Sequence, residues 1–418
     1  MSRVVKLEEL CLPDQIGKYG IPAVAEEFSE DKVRYLRITD IDDYGNLLEN
    51  DKKSVSSPEI EKYILKEGDI VFARTGNSTG RTYFHEEKNG ELAFAGFLIK
   101  FSLDKSKVNP KYLKYFTISK PYKQWVDNLS NGSTRGNINA KTFADCPIIL
   151  PSREQQDYLV RVLSSLEDKI QINNQINQEL EAMAKTLYDY WFVQFDFPDQ
   201  NGKPYKSSGG KMVYHPELKR EIPEGWGVEK LGELAQFKNG INYEKTSSGS
   251  EKVKIINVRN ISSSTIFINQ TDLDEIFLEN DKSTNFIVNE GMILITRSGI
   301  PGATRLVSEL EAKTVYSGFI IASEVNDLIN KNLIFYYLKN VEEVLKNQSA
   351  GTIMKNISQS VLTDMVVSLP PQNVLLKFNS IIDNLLEQMK NVQRQNQELT
   401  QLRDWLLPML MNGQVKVE

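Results

Sequence analysis

A long-range repeat in strict register constrains this chain more than any other feature. Apolar residues at Leu159, Leu163, Leu166, Ile170, Leu180, Ala184 and Leu187 step by fours and threes, the seam that lets one helix lie along another. A second seam runs Phe378, Ile382, Leu385, Met389, Val392, Asn396, Leu399, Leu406. The pairs Leu159/Phe378, Leu163/Ile382, Leu166/Leu385, Ile170/Met389, Asn177/Asn396, Leu180/Leu399 and Leu187/Leu406 are all 219 residues apart. Asn177-Gln178-Glu179-Leu180 recurs unchanged as Asn396-Gln397-Glu398-Leu399. So long a gapless offset is a duplication. Two helices with matching seams pack on each other, each a rod on the order of 55 Å at ~1.5 Å per residue. Polar Asn173 and Asn177 interrupt the first seam; an asparagine there either sets register or sits where the seam is wet. Ser152-x-x-Gln155 reads as a capping box, Pro371 suits the first turn of the second helix, and Pro408 is expected to end it.

The duplication reaches beyond the helices. Lys6-Leu7-Glu8-Glu9-Leu10 matches Lys230-Leu231-Gly232-Glu233-Leu234 at an offset of 224. The run from Val33 to Ile41 matches Val253 to Ile261 at 220, and both read as strand. The stretch from Gly68 to Gly76 matches Gly291 to Gly299 at 223: a buried strand ending in an Arg and a glycine turn. Gly96-Phe97 matches Gly318-Phe319 at 222, and Gly132 with Asn137-Ile138 matches Gly351 with Asn356-Ile357 at 219. The plan is therefore globular, helix, globular, helix. It divides as domain 1–150, helix 151–194, turn-rich connector 195–225, domain 226–370 and helix 371–418. The fold class is α+β: two pseudo-symmetric α/β domains joined by a pair of long, antiparallel, coiled-coil-like helices. A pseudo-two-fold axis would set the domains at opposite ends of a rigid spacer with like faces presented, as a dimer reads two half-sites on DNA.

Composition narrows the chemistry. There are two His, too few for a histidine-based metal or catalytic site repeated in both halves. Cys11 and Cys146 are too few for a disulfide scaffold and fit a reducing, cytoplasmic setting. No apolar run is long enough to span a membrane, and the first residues lack a signal-peptide core. A net charge of −6 argues against nucleic acid on average, although a basic face can hide behind an acidic back. No phosphate loop, methyltransferase motif or nucleophile elbow is present. Glu86-Glu87-Lys88 can be read as half of a nuclease site, but a solvated turn before Asn89-Gly90 accounts for it better. The favoured class is a binding module without catalysis.

Polar residues cluster on the repeated turns. Arg74, Asn77, Ser78, Thr79 and Arg81 form one glycine-flexed loop; Arg297, Ser298, Thr304 and Arg305 are its expected twin. Asn131, Ser133, Thr134, Arg135 and Asn137 form another, with Thr352, Lys355 and Asn356 as twin. Arg and Asn grip base edges bidentately, whereas Ser, Thr and glycine amides suit phosphates. Ordinary turn chemistry explains any one of these residues; recurrence of the whole set favours a shared role. If the copies read different sequences, shared Arg74/Arg297 cannot be the readers. Readers lie where the copies differ: Asn77 and Thr79 against Ile300 and Ala303, Thr134 and Arg135 against Ile353 and Met354, and the loops 15–28 and 237–250. Lys100, Lys105, Lys107, Lys111, Lys114, Lys120 and Lys123 line either a phosphate track or a solvated helix face.

Over its whole length the chain resembles the specificity subunit of type I restriction-modification systems. The marks are the Leu150-Pro151 entry into a Gln/Glu-rich helix with Glu154-Gln155-Gln156, and Gly-Ser/Thr followed by Asn-Ile upstream of it. The connector is the nearest match, in Asn201-Gly202-Lys203-Pro204-Tyr205-Lys206-Ser207-Ser208-Gly209-Gly210-Lys211-Met212 and the run from Leu218 to Trp226. The second helix departs from the pattern, starting Pro370-Pro371-Gln372-Asn373 without the acidic-Gln pair. The resemblance implies two target-recognition domains that read a split site on double-stranded DNA. It implies two methyltransferase (modification) subunits as partners, with S-adenosylmethionine, and restriction/translocase subunits with ATP and Mg. No cofactor is expected on this chain. Two other readings stay open: a specificity subunit of another restriction class with a fused methyltransferase-nuclease partner, and a coiled-coil scaffold with no DNA role.

Overall fold

The computed structural model describes residues 3–49, 51–130, 137–243, 249–279, 282–351 and 356–411. It divides into two compact units, Met1–Gln171 with Gln397–Glu418, and Ile172–Asn396. Two long helices, Arg153–Tyr188 and Gln372–Met411, each contribute to both units.

The same topology is built twice. In the first unit Asp69–Ala73, buried at every position, is a central strand of the sheet ordered Lys18–Tyr19, Leu98–Ser102, Asp69–Ala73, Thr82–Phe84. In the second, Ile293–Thr296 takes that place between Ile320–Val325 and Thr304–Leu306, with Ala235–Asn239 at the far edge. Continuous apolar runs fit strands covered on both faces. A further sheet joins Arg34–Leu36 to Leu92–Phe94 in parallel, as Glu251–Ile256 joins Thr314–Tyr316. Each domain is closed by its own ends: Arg3–Lys6 pairs antiparallel with Pro147–Leu150, and Gly227–Lys230 with Val366–Leu369. A long helix leaves directly from each closing strand. Two residues separate strand from helix in both copies, so the offset of 219 carries unchanged from each domain into its helix.

Ser152 and Gln155 close the predicted capping box, the Ser152 amide donating to Gln155 Oε1 at 3.2 Å and the Gln155 amide to Ser152 Oγ at 3.3 Å. The seam residues Leu159, Leu163, Leu180 and Ala184 are buried. In the second unit the helices run antiparallel: Asn173 donates to Gln395 at 3.4 Å, while farther along Tyr188 meets Phe378 at 6.5 Å between ring centroids. In the first unit Leu159 and Leu163 share a core with Leu407 and Met411. Pro408 does not end the second helix, contrary to expectation; the helix continues through it to Met411. Burial of Leu407 and Met411 holds the last turn despite the missing N–H.

The connector is a packed element. Its strands Met212–His215 and Arg220–Pro223 form a hairpin. Phe195, Phe197 and Trp226 cluster, with Trp226 at 5.3 Å from Phe195 and 5.1 Å from Phe197. Phe192 stands between Trp226 at 5.9 Å and Phe378 at 4.7 Å, tying this cluster to both long helices within the second unit. The two cysteines are free and buried, and burial pushes both thiols up to about 12.

Candidate DNA interface

Three short stretches repeated in the sequence meet at one spot in each unit. In the first, the Arg74 amide donates to the Phe97 carbonyl at 3.1 Å, and the Ile138 amide donates to the Arg74 carbonyl at 2.9 Å. In the second, Arg297 donates to Phe319 at 2.9 Å and Ile357 to Arg297 at 2.8 Å. The Arg-x-Gly, Gly-Phe and Asn-Ile repeats are thus one stitched structure. Two glycines complete it. A Cβ on Gly20 would lie 2.2 Å from the Ala95 carbonyl oxygen, and one on Gly240 2.3 Å from that of Ser317. These glycines sit inside the loops 15–28 and 237–250 expected to be divergent; their match at an offset of 220 was the signal to find there.

The side chains on this frame differ between copies. Arg74 is presented on a platform, its guanidinium 5.0 Å from the Tyr19 ring and donating to Asn137 Oδ1 at 3.2 Å. Arg297 makes no side-chain hydrogen bond or ion pair among the described residues; Asn239 stands at the place matching Tyr19. Asn77 is exposed in the one-turn helix Gly76–Ser78, and Thr79 donates to the Gly76 carbonyl at 2.8 Å. Arg81 pairs with Asp43 at 2.7 Å and donates to the Ile41 carbonyl at 3.0 Å. Ser298 is half-buried beside Arg297. Thr134, Arg135 and Lys355, with Asn131, Ser133, Thr352, Ile353 and Met354, lie outside the described residues.

The expected twin of the first loop is displaced. The turn from Gly76 to Gly80 is one residue longer than that from Gly299 to Gly302. In the strand register Thr304 therefore matches Thr82, and Arg305 matches Tyr83 rather than Arg81. Thr304 is fully buried, with its amide donating to Glu342 Oε1 at 2.7 Å. Arg305 is 8% exposed and committed to the Ser264 carbonyl at 2.6 Å and Glu342 at 2.8 Å. The Thr304 hydroxyl is spent on the Gly302 carbonyl, and of the Arg305 guanidinium only Nη2 lacks a partner among the described residues. Lys100, placed on the candidate phosphate track, is also buried; it lies in a strand and pairs with Asp69 at 3.2 Å. Lys111 and Lys114 are paired with Glu86 and Glu167. Lys123 remains exposed, 5.6 Å from the Tyr44 ring.

Beside each turn lies an equivalent cleft. The first, about 220 Å³, is lined by Thr79, Arg81, Asp43, Lys123 and Asp127. The second, about 170 Å³, is lined by Ile300, Pro301, Arg305, Glu342 and Lys346. At the 219 offset Glu342 replaces Lys123 and Lys346 replaces Asp127, so the charges are exchanged. The frame is shared while the chemistry around it is not. Burial pushes the Glu86 pKa up, but the Lys111 hydrogen bond and neighbouring lysines outweigh it and leave it lowered. Burial holds His85 below its ordinary value.

A known protein family accounts for this duplicated plan. The chain matches the family described as the type I restriction modification DNA specificity domain twice, over residues 4–182 and 223–401. It is 28% identical to the specificity subunit of the type I restriction enzyme MjaIX of Methanocaldococcus jannaschii, over 76% of this chain and 71% of that one. It is 23% identical to the HindI specificity subunit of Haemophilus influenzae, over 86% and 89% of the two chains. Its fold is that of the crystallised type I restriction-modification S subunit from M. genitalium, with a TM-score of 0.53 at 15% identity over 98% of this chain and 96% of that one. With two matched segments covering most of its length, and a domain fold built twice to suit them, the chain belongs to the type I restriction-modification DNA specificity family.

Proposed function

We propose that each copy of the fold reads one part of a split target on double-stranded DNA, so that this non-catalytic subunit directs its partners to a bipartite site. The observation that carries this reading is the stitched turn described above: one frame in both copies, bordered by side chains that differ. Arg74 and Arg297 contact phosphate and set the docking register. Asn77, Thr79 and Arg81 in the first copy, and Ser298 in the second, face base edges, together with Thr134, Arg135 and Lys355. Thr304 and Arg305 act from behind by fixing the second turn against Glu342.

The partners are two modification subunits that bind S-adenosylmethionine and methylate adenine. Restriction subunits that use ATP and Mg join them. The test is co-expression with the neighbouring modification gene, followed by sequencing of methylated genomic adenines. The expected result is a co-purifying complex and a two-part methylated motif that vanishes when this chain is omitted. A stable complex without a methylated motif, or no complex, would contradict the reading.

A further inference from the structure

Both copies expose one phenylalanine at the same place. Phe97 is 60% and Phe319 62% exposed, while the residues that follow, Leu98, Ile99, Ile320 and Ile321, are fully buried. Each sits near the tip of a tight turn, closed by the Leu98 amide donating to Ala95 at 2.8 Å and the Ile320 amide donating to Ser317 at 2.9 Å. The turns are braced from outside: Gly96 donates to Ile21 at 2.9 Å and Gly318 to Ile241 at 2.7 Å. The phenylalanine carbonyls are themselves held by the Arg74 and Arg297 amides. Isolated exposed apolar residues are common on protein surfaces. A large one on the same pinned turn in both copies, each time hydrogen-bonded to an arginine, is a built feature. Its backbone is ordered before any partner arrives, so binding through it costs little further entropy.

We propose that Phe97 and Phe319 are matched apolar wedges. Each would lie against one base step in the part of the DNA target read by its own copy. This rests on the DNA-reading assignment above. Phenylalanine has no hydrogen-bonding group, so beyond contact with a thymine methyl it reads little of a base edge, which suits a residue kept in two copies that read different sequences. Apolar side chains placed against a base step partly unstack it and bend the duplex toward more protein surface. The adjacent arginine supplies the charge that holds the neighbouring phosphate.

The experiment uses the complex with its modification subunits and a duplex carrying the motif mapped for the wild-type complex, with 2-aminopurine placed at successive positions. Wild-type complex is expected to raise fluorescence at one step in each part of the motif other than at the adenine that is methylated, which the modification subunit itself takes out of the stack. Phe97→Ala should abolish the rise in one part and spare the other, weaken binding roughly tenfold, and leave the methylated motif unchanged. Phe319→Ala should do the same in the other part. Phe97→Leu, which keeps an apolar side chain, should retain part of the signal. Unchanged fluorescence and affinity in the alanine variants would overturn the proposal. So would loss of the modification subunits on size-exclusion chromatography, which would make these residues a protein-docking contact. Failure of the wild-type complex to bind any duplex would reject the DNA-reading assignment instead.

Discussion

Arg74 shows how much of a functional role lies in what holds a side chain. Its backbone is tied at both N–H and C=O, and its guanidinium rests near Tyr19 and Asn137. On the proposed reading this arginine contacts phosphate, and such a contact carries no sequence information. Arg74→Ala should therefore weaken binding to the target and to an unrelated duplex by the same factor, and lower the salt dependence by roughly one released counterion. Titrations at several salt concentrations check this; a clean change of methylated motif would refute it. The repeat of Arg74 and Arg297 was legible in the sequence because glycine turns mark it. The misplacement of Arg305 was not, because a one-residue difference in turn length shifts the following strand and turns a surface arginine into a buried one. Lys100 misled in the same way: a strand lysine looks solvent-facing until its partner, Asp69, is placed. Gly96-Phe97 and Gly318-Phe319 were visible as a repeat, but a turn's sequence does not say which of its side chains points out.

Among the elements, the long helices were the most legible, since heptad spacing encodes burial directly. Leu159, Leu163, Leu180, Phe378, Ile382 and Met389 are all buried as their spacing predicts. The end of the second helix was not legible, because local proline chemistry yields to the burial of Leu407 and Met411. The connector read as loop because its glycines and serines dominate locally, while the aromatic residues that pack it are scattered along the chain. Phe378 is the hub where the two long helices and the second domain meet, against Tyr188, Trp191, Phe192 and Tyr336, and truncating such a residue costs about 3–5 kcal/mol. The asparagines in the seam are only partly satisfied. Asn396 donates to Asn174 at 2.7 Å, but the side-chain oxygens of Asn177 and Asn396 are buried without a partner among the described residues. Asn177→Leu should therefore stabilise the helix pair by about 1–2 kcal/mol, seen as a higher denaturation midpoint. A lower midpoint would show that the amide contributes more than its apolar replacement.

For the whole molecule, a duplicated fold with an acidic total charge can be a DNA reader when its cations are local. The net charge of −6 is spread over a chain in which many lysines and arginines are internally paired, whereas Arg297 and exposed Lys123 are not spent on carboxylates among the described residues. On the proposed reading, duplication also sets the logic of recognition: a shared frame keeps both copies competent, and their differing side chains let each carry its own preference. The measurement that tests this most directly is the methylated motif of a chimera. In it residues 4–182 are replaced by the matching segment of another family member whose motif is known, and the chimera is expressed with its modification subunits. The account predicts that one part of the two-part motif changes to the donor's and the other part stays as in the parent chain. A motif that changes in both parts, or in neither while the complex still methylates DNA, would contradict the claim that each copy reads its own part.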